Sequence, residues 1–313
     1  MKTLLESVIV LSLAASAAAA ATCNRACLDK TVDTYIAALV AHDPSQVAFA
    51  KDVKFVENTV PKKPGEGLWK TASEGPTTFK IYVPDPVSQE VGFLCVMKDS
   101  GKPIQFGLRL KLKNGKITEA EHLIAGNLQE SNLEKNLTTP RPGLLATVPP
   151  AERMPREKML KIGESYYTAL VTANGDAAPF ADDCLRHENG MQTTGNPPPK
   201  TPGMGTMGAM GCHDQINTHT FDYITRIEPR RVEIADPETG LVFGLSQFRQ
   251  PMEQKFVKIV GVPDVQKVDL NIAPFDLPAA HIFKIQGGKI HEIEAMGFVM
   301  PYNSKTGWES DGK

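Results

Sequence analysis

The sequence lacks several features that mark common functions. Its 34 lysines and arginines do not exceed its 36 acidic residues, so no positive surplus exists to neutralise nucleic-acid phosphates. Aromatic residues make up only 7% of the chain, which argues against a stacking platform for bases or long sugar chains. No zinc-protease histidine pair, nucleophile elbow, phosphate loop or dinucleotide fingerprint is present. We therefore expect no nucleic-acid partner, no metal ion and no organic cofactor.

Long hydrophobic runs are also missing after the first 21 residues. Within residues 1–21, Lys2 precedes an apolar run from Val8 to Ala15, and small residues follow it. The run is too short to span a bilayer and is typical of a secretory signal peptide. We therefore predict that residues 1–21 are removed and that the mature protein is secreted or periplasmic, with no membrane span.

Cysteine is scarce and odd in number. Five cysteines are present, so at least one thiol is free or pairs between chains. Export permits disulfide bonds. We predict a bridge between Cys184 and Cys212, because it would fasten a long inserted loop to its own domain.

The chain repeats itself. Residues 35–58 align on residues 166–189 without a gap, and nine positions match, including Phe-Ala-x-Asp and a final Glu-Asn. Further along, an Asp-Pro pair recurs, and Gly-Lys-Ile-x-Glu-x-Glu at 115–121 recurs at 288–294. Three collinear blocks indicate two copies, of which the second carries insertions.

Each copy has the same coarse plan. Apolar residues at helical spacing come first, and runs typical of strands follow. Asn-Gly and Gly-Gly pairs between the last two runs indicate hairpins. The plan predicts an α+β fold in each copy. The predicted boundaries are a first domain at 22–137, a proline-rich linker at 138–155, a second domain at 156–304 with insertions near 195–211 and 252–274, and a tail at 305–313.

These motifs resemble the nuclear transport factor 2-like superfamily, including its SnoaL-like and ketosteroid-isomerase-like members. The resemblance covers both halves of the chain and implies two tandem cones, each with helices packed on a curved antiparallel sheet around an apolar pocket. It also implies that the two sheets pack together as an intrachain pseudo-dimer, and it leaves a homodimer of the whole chain open. Members of the superfamily mostly work without metal or organic cofactor.

The segment from Phe180 to Glu188 is similar to the part of ketosteroid isomerases that ends in their aspartate base. The resemblance places Glu188 on the base position in the second copy and Glu57 in the first. It also implies a hydrogen-bond donor on the first helix, which Tyr166 or Tyr167 would supply in the second copy and Tyr35 in the first. Glutamate replaces the family's aspartate, and asparagine replaces the proline that follows it.

A carboxylate at the inner end of a strand would be desolvated and suited to work as a general base. A tyrosine across the pocket could stabilise an oxygen that gains charge. The alternative is that Glu57 and Glu188 only fasten a turn. Because neighbours on a strand point to opposite faces, Arg186 would lie on the same side as Glu188 and His187 would not.

The second copy is richer in titratable groups. His213 follows the first insertion and is our second catalytic candidate; its alternative is a solvated loop histidine. The candidates for the substrate-binding wall are Arg186, Tyr167, Tyr223, His281 and Met207. The glycine-, proline- and methionine-rich stretch at 195–211 is expected to lack regular structure and to act as a lid. Met204, Met207 and Met210 recur every three residues before Cys212 and His213, and their thioethers could alternatively hold Cu(I), but a flexible apolar flap is favoured.

Two functions remain open from the sequence. The first is a secreted, cofactor-independent lyase or isomerase that transfers a proton on a small apolar or aromatic molecule. The second is an exported binding protein that carries a small hydrophobic ligand without chemistry. In the first case we expect the second copy to hold the active pocket and Glu188 to be its base.

Overall fold

A computed structural model describes residues 22–201, 203–263 and 265–309 of the chain. The predicted signal peptide lies outside these residues. The helices are α1 (Arg25–Val40), α2 (Glu130–Lys135), α3 (Pro142–Leu145), α4 (Arg156–Thr172), α5 (Met204–Gly208) and α6 (Cys212–Asn217). None of the described helices is long and apolar enough to cross a membrane.

The strands form two seven-stranded sheets and a small hairpin. The first sheet contains β1 (Phe49–Glu57), β2 (Val60–Lys62), β3 (Ala72–Glu74), β4 (Lys80–Asp85), β5 (Glu90–Asp99), β6 (Lys102–Lys113) and β7 (Lys116–Ala125). The second contains β8 (Phe180–Glu188), β9 (Met191–Gln192), β10 (Arg226–Asp236), β11 (Leu241–Gln250), β14 (Phe275–Gln286), β15 (Lys289–Gly297) and β16 (Met300–Pro301). The hairpin pairs β12 (Phe256–Lys258) with β13 (Lys267–Asp269).

The two sheets share one strand order. The first runs β2-β1-β7-β6-β5, with β4 also on β5, and the second runs β9-β8-β15-β14-β11-β10. Neighbours are antiparallel except that β1 pairs with β7, and β8 with β15, in parallel. The predicted α+β class is confirmed, whereas the expectation of wholly antiparallel sheets is wrong at this one pair in each half.

Glu57 and Glu188 occupy equivalent places in this order. Each is the last residue of the strand that pairs in parallel with the hairpin's second strand, opposite His122 and Ala295 respectively. The asparagine after each glutamate has a positive φ, and its side chain forms hydrogen bonds with both the backbone N–H and C=O of one residue on the neighbouring strand. The asparagine therefore fastens the turn in both halves, which leaves the glutamate side chain for another role.

One long helix covers the concave face of each sheet. In α1 the buried residues include Val32, Tyr35 and Leu39, and in α4 they include Tyr166 and Leu170, so each helix turns one stripe toward its sheet. Asn24 caps α1 by accepting a hydrogen bond from the Cys27 amide. The helices thereby bring the tyrosines of the repeated motif over the interior of each half.

The opposite faces of the sheets pack against each other in a shared core. Its residues come from both halves, among them Ile81, Leu94, Phe243 and Ile282. Contact is close at Gly92, where an added Cβ would lie 2.3 Å from Cγ of Phe243. Such contact between sheets is the pseudo-dimer arrangement that the resemblance implied.

Ion pairs reinforce the contact between the halves. The Arg25 guanidinium forms two hydrogen bonds with Asp236, and Arg231 forms two with Glu121. Bidentate pairs of this kind are geometrically specific, so they fix how the halves meet as well as contributing energy.

The segment predicted as a linker packs against the sheets rather than hanging free. Its Leu144 and Val148 are buried, and Arg141 forms ion pairs with Glu292 and Glu294 of β15. Burial raises the pKa of Glu294 to about 7, against the opposing effect of Arg141. The linker therefore packs on β15 through Arg141, and its Leu144 belongs to the core that the two halves share.

The two insertions of the second half pack on each other. The first contains α5 and is followed by α6, so the expectation that it wholly lacks regular structure is wrong. Its Met207 joins Met252, Val257 and Leu270 of the second insertion in one buried apolar cluster. This cluster contacts Tyr223 and Phe275, so the insertions support one side of the second half's interior.

Two disulfide bonds are present. Cys184 bonds to Cys212 as predicted, joining β8 to α6, and Cys23 bonds to Cys27 near the start of α1. Cys95 is buried and free. Disulfide bonds persist in oxidising compartments, so the two bridges fit an extracellular or periplasmic setting.

Candidate active site

A cavity of about 160 Å³ opens into the second half between α4 and the concave face of its sheet. Most of its lining is apolar or aromatic, contributed by Leu170, Phe221, Ile224, Phe248, Phe275, Leu277, Ala279, Ala295, Met296 and Gly297. Its polar lining comes from Tyr166, Arg186, Glu188, Asn189, Tyr223, Gln250 and His281. An apolar cavity with a few convergent polar groups is typical of a site for a small molecule.

Arg186 is the buried charge of this site. It lies on β8, is 1% exposed, and its guanidinium carbon is 4.8 Å from the centre of the Phe221 ring. Its Nε donates to Thr193 Oγ1 at 2.9 Å and lies 3.0 Å from Glu188 Oε1, while Nη2 donates to Gln215. The position of Arg186 is therefore fixed by groups on three sides.

Glu188 lies at the mouth of the cavity. Its side chain is 45% exposed, so the expected desolvated carboxylate is not what the structure shows. Glu188 is the last residue of β8, so its side chain lies at the end of the strand. Glu188 lies on the same strand face as Arg186, whereas His187 points to the other face, 4.0 Å from Glu294.

Two tyrosines face this region from different elements. Tyr166 lies on α4 and Tyr223 in the segment between α6 and β10. Burial raises the pKa of each to about 12. Both hydroxyls are therefore protonated at neutral pH and can donate a hydrogen bond to a ligand oxygen.

His281 forms part of the cavity floor. Its ring stacks on Phe283 and Phe248, and its Nδ1 lies 3.2 Å from the Tyr167 hydroxyl. Burial, together with the nearby Arg186 charge, lowers the pKa of His281 to about 3, so the ring is neutral at pH 7. Tyr167 itself does not line the cavity; it positions His281 from behind.

Two predicted site residues lie elsewhere. His213 lies on α6 between Asp176 and Asp214, which raise its pKa, and its side chain is 42% exposed. Met207 is buried in the apolar cluster of the insertions. Neither lines the cavity, because α6 turns His213 outward and the second insertion covers Met207. Cys212 is held in a disulfide bond, so this position offers no free thiolate to the copper alternative.

The first half carries the corresponding groups in a filled interior. The Tyr35 hydroxyl is 2.8 Å from His122 Nε2, and His122 Nδ1 is 3.1 Å from Glu57 Oε2. Burial lowers the pKa of His122 although Glu57 opposes it. For Glu57, burial acts to raise the pKa, but hydrogen bonds from His122 and the Leu68 amide hold it below its ordinary value. An ionised Glu57 therefore accepts from a neutral His122, whose Nε2 accepts from Tyr35.

Aromatic side chains occupy the space that is open in the second half. Trp69 is 1% exposed and packs on Tyr35 with ring centres 5.1 Å apart, and Phe55 and Phe106 pack on His122. The position opposite the glutamate is His122 in the first half and Ala295 in the second. Replacing an imidazole by a methyl group is one physical reason that the second half retains a cavity.

Sequence reasoning missed several residues of the site. Gln215 and Thr193 hold Arg186, and Phe221, Phe248 and Phe275 form much of the apolar wall. Phe275 and Leu277 carried a usable signal, since they alternate along one strand and so face the same side of the sheet. Gln215 carried none, because its contact with Arg186 depends on how an insertion folds.

A family model described as a domain of unknown function, DUF8021, matches residues 152–297. No curated protein matches the chain.

The chain is similar to solved structures at low identity. An NTF-2 like protein of unknown function from Burkholderia xenovorans LB400 is 14% identical, covers 50% of this chain and 94% of its own, and has a TM-score of 0.26. A SnoaL-like protein from Jannaschia sp. CCS1 is 14% identical, with coverages of 47% and 90% and a TM-score of 0.28. An LEH-like epoxide hydrolase from M. tuberculosis is 11% identical, with coverages of 46% and 84% and a TM-score of 0.27.

Proposed function

We propose that the second half binds a small, largely apolar carbonyl compound and transfers a proton on it, as a cofactor-independent isomerase or lyase. The observation that carries the proposal is that Glu188 and Tyr166 line one cavity whose other walls are mostly apolar. A carboxylate can accept a proton, and a protonated tyrosine can donate to an oxygen that gains charge.

In this proposal Glu188 removes a proton from the carbon next to the carbonyl group. The electron pair of the broken C–H bond moves toward the carbonyl oxygen, where the Tyr166 hydroxyl donates a hydrogen bond. An isomerase then returns the proton from Glu188 to another carbon, whereas a lyase expels a leaving group. The exposure of Glu188 allows its proton to exchange with water between turnovers.

We further propose that this activity takes place outside the cytoplasm, after removal of residues 1–21. The two disulfide bonds support this setting. Sequencing the amino terminus of the exported protein tests it, with a start near Thr22 expected.

A binding protein without chemistry is the second candidate. It is favoured by the ion pair between Glu188 and Arg186, since a carboxylate that pairs with a buried guanidinium can serve to hold that charge rather than to take a proton from a ligand.

Deuterium exchange at the α-carbon of phenylacetone, an apolar ketone with one ring, separates the two candidates. We expect the protein to accelerate exchange in D2O, as followed by NMR. Glu188→Gln should lose about 10²–10⁴-fold of the acceleration, the contribution of a general base. Tyr166→Phe should lose less, and it should keep binding phenylacetone.

Glu57→Gln is the matched control, because it changes the equivalent residue of the other half. It should keep the exchange rate per folded molecule. The enzyme proposal is wrong if Glu188→Gln retains full acceleration, or if phenylacetone binds in the cavity without any acceleration. The latter result would favour the binding protein.

A further inference from the structure

We propose that Arg186 binds a carboxylate of the ligand, so that the compound taken by the cavity is a small aromatic or alicyclic acid. The inference rests on the proposed function for the location of the site, and it assigns Arg186 a role separate from that of Glu188 and Tyr166. Its basis is a buried guanidinium whose donors are only partly used.

The hydrogen bonds of Arg186 leave one end of the guanidinium unused. Nε donates to Thr193 Oγ1 at 2.9 Å and lies 3.0 Å from Glu188 Oε1 as an ion pair, and Nη2 donates to Gln215. Nη1 is buried and has no hydrogen-bond partner within residues 22–201, 203–263 and 265–309. Unpaired donors on a buried charged group are costly, which makes Nη1 a ready donor to a ligand that enters the cavity.

Neighbouring groups hold this guanidinium in place. The Gln215 amide nitrogen donates to the backbone oxygens of Thr193 and Met207, at 2.6 and 2.9 Å. These bonds direct Gln215 Oε1 toward Arg186, while the Phe221 ring covers one guanidinium face. A donor held in place before binding loses little conformational entropy when the ligand arrives.

The charge of Arg186 is only partly neutralised. In the described part of the chain, Glu188 is the one carboxylate within 4.0 Å of the guanidinium, and it lies at Nε, whose proton donates to Thr193. Glu188 is also half exposed, so water screens the pair. A guanidinium presents parallel N–H groups that match the two oxygens of a carboxylate, which makes this anion the best complement.

The remaining walls specify an apolar body of about one ring. Phe248, Phe275 and Leu277 are among the apolar residues that line the cavity. A cavity near 150 Å³ with apolar walls holds benzene, and this one measures about 160 Å³. The guanidinium and the apolar walls together predict a ligand that consists of one ring and a carboxylate.

Calorimetric titration with phenylacetate and its neutral isostere phenylacetamide tests the inference. We expect the wild-type protein to bind phenylacetate at least about tenfold more tightly than the amide. Arg186→Gln should remove this preference by weakening phenylacetate alone, whereas Arg186→Lys should keep part of it. The control Arg226→Gln changes an exposed arginine outside the cavity and should change neither affinity.

The affinities of the wild-type protein for the two ligands test the carboxylate site even if the Arg186 variants do not fold. Equal affinities for phenylacetate and phenylacetamide, or no binding of phenylacetate at millimolar concentration, would overturn the inference. A parallel loss of both ligands in a folded Arg186→Gln variant would overturn it as well.

Glu188→Gln distinguishes this inference from the proposed function. It removes the anion that competes for Arg186, so phenylacetate affinity should rise several-fold, whereas the proposed function predicts that α-carbon exchange of phenylacetone is lost. Retained exchange with a preference for phenylacetate contradicts the proposed function alone. Lost exchange with equal affinities contradicts the carboxylate site alone.

Discussion

Glu57 and Glu188 are the last residues of equivalent strands, β1 and β8, in two sheets that have the same strand order. Their side chains nevertheless differ in exposure, at 7% for Glu57 and 45% for Glu188. Glu57 contacts His122, the Leu68 amide and Lys62 inside a filled interior. Glu188 contacts Arg186 at the mouth of a cavity. The same strand-ending glutamate is therefore part of the packed interior in the first half, whereas in the second half its carboxylate is accessible to a ligand.

The first way to test this comparison is stability, where the largest effect is expected. Glu57→Gln removes a buried charge from three partners and should lower the free energy of unfolding by about 3–5 kcal/mol. Glu188→Gln should cost about 1 kcal/mol or less, because the side chain is half exposed. Urea unfolding of both variants measures the difference. Equal losses in the free energy of unfolding would show that the two glutamates contribute equally to stability, against the comparison.

The disulfide bonds offer a second test, also on stability. The Cys184–Cys212 bond has a sequence separation of 28 residues and the Cys23–Cys27 bond one of 4. On the chain-entropy model, removing them costs about 3.6 and about 2 kcal/mol respectively. Thermal melting of the two double-alanine variants checks the order. The Cys184 variant should also weaken phenylacetate binding, since α6 supplies Gln215.

A third test concerns pH and the neutral His281 of the cavity. Its pKa is about 3 in the folded protein, below the ordinary value of 6.5, because of burial and the Arg186 charge. Above pH 6.5 neither state binds a proton at this ring, but between pH 6.5 and 3 only the unfolded state does. Stability should therefore fall by about 1.4 kcal/mol per pH unit as the pH drops through this window.

His281→Phe is the variant that checks this pH dependence. It keeps a ring between Phe248 and Phe283 but cannot take a proton. Urea midpoints at pH 7 and pH 5 should differ less for this variant than for the wild type. An unchanged difference would place the titrating group elsewhere in the molecule.

The repeated motifs carried much of the fold. Apolar residues at helical spacing predicted the helix at the start of each copy, and the alignment of Glu57 on Glu188 predicted that both end equivalent strands, as the strand pairing shows. The parallel strand pair was missed, because a hydrophobic pattern indicates a strand without its direction.

The candidate site was less accessible to sequence reasoning. The match of residues 115–121 with 288–294 stops one position before His122 and Ala295, the pair that separates a filled interior from an open one. The difference between His122 and Ala295 is visible in the sequence, but only the strand pairing shows that these residues lie opposite Glu57 and Glu188. The support of Arg186 by Gln215 spans 29 residues and an insertion, so no local pattern could reveal it.

Filling the cavity tests most directly the central claim that the second half holds the ligand site. Ala295→Phe places a large side chain where the first half has His122, whereas Ala295→Ser at the same position leaves most of the space open. Calorimetry should show that Ala295→Phe loses at least about tenfold in phenylacetate affinity with folding intact, and that Ala295→Ser binds within about threefold of the wild type. Full phenylacetate binding by a folded Ala295→Phe variant would contradict the account.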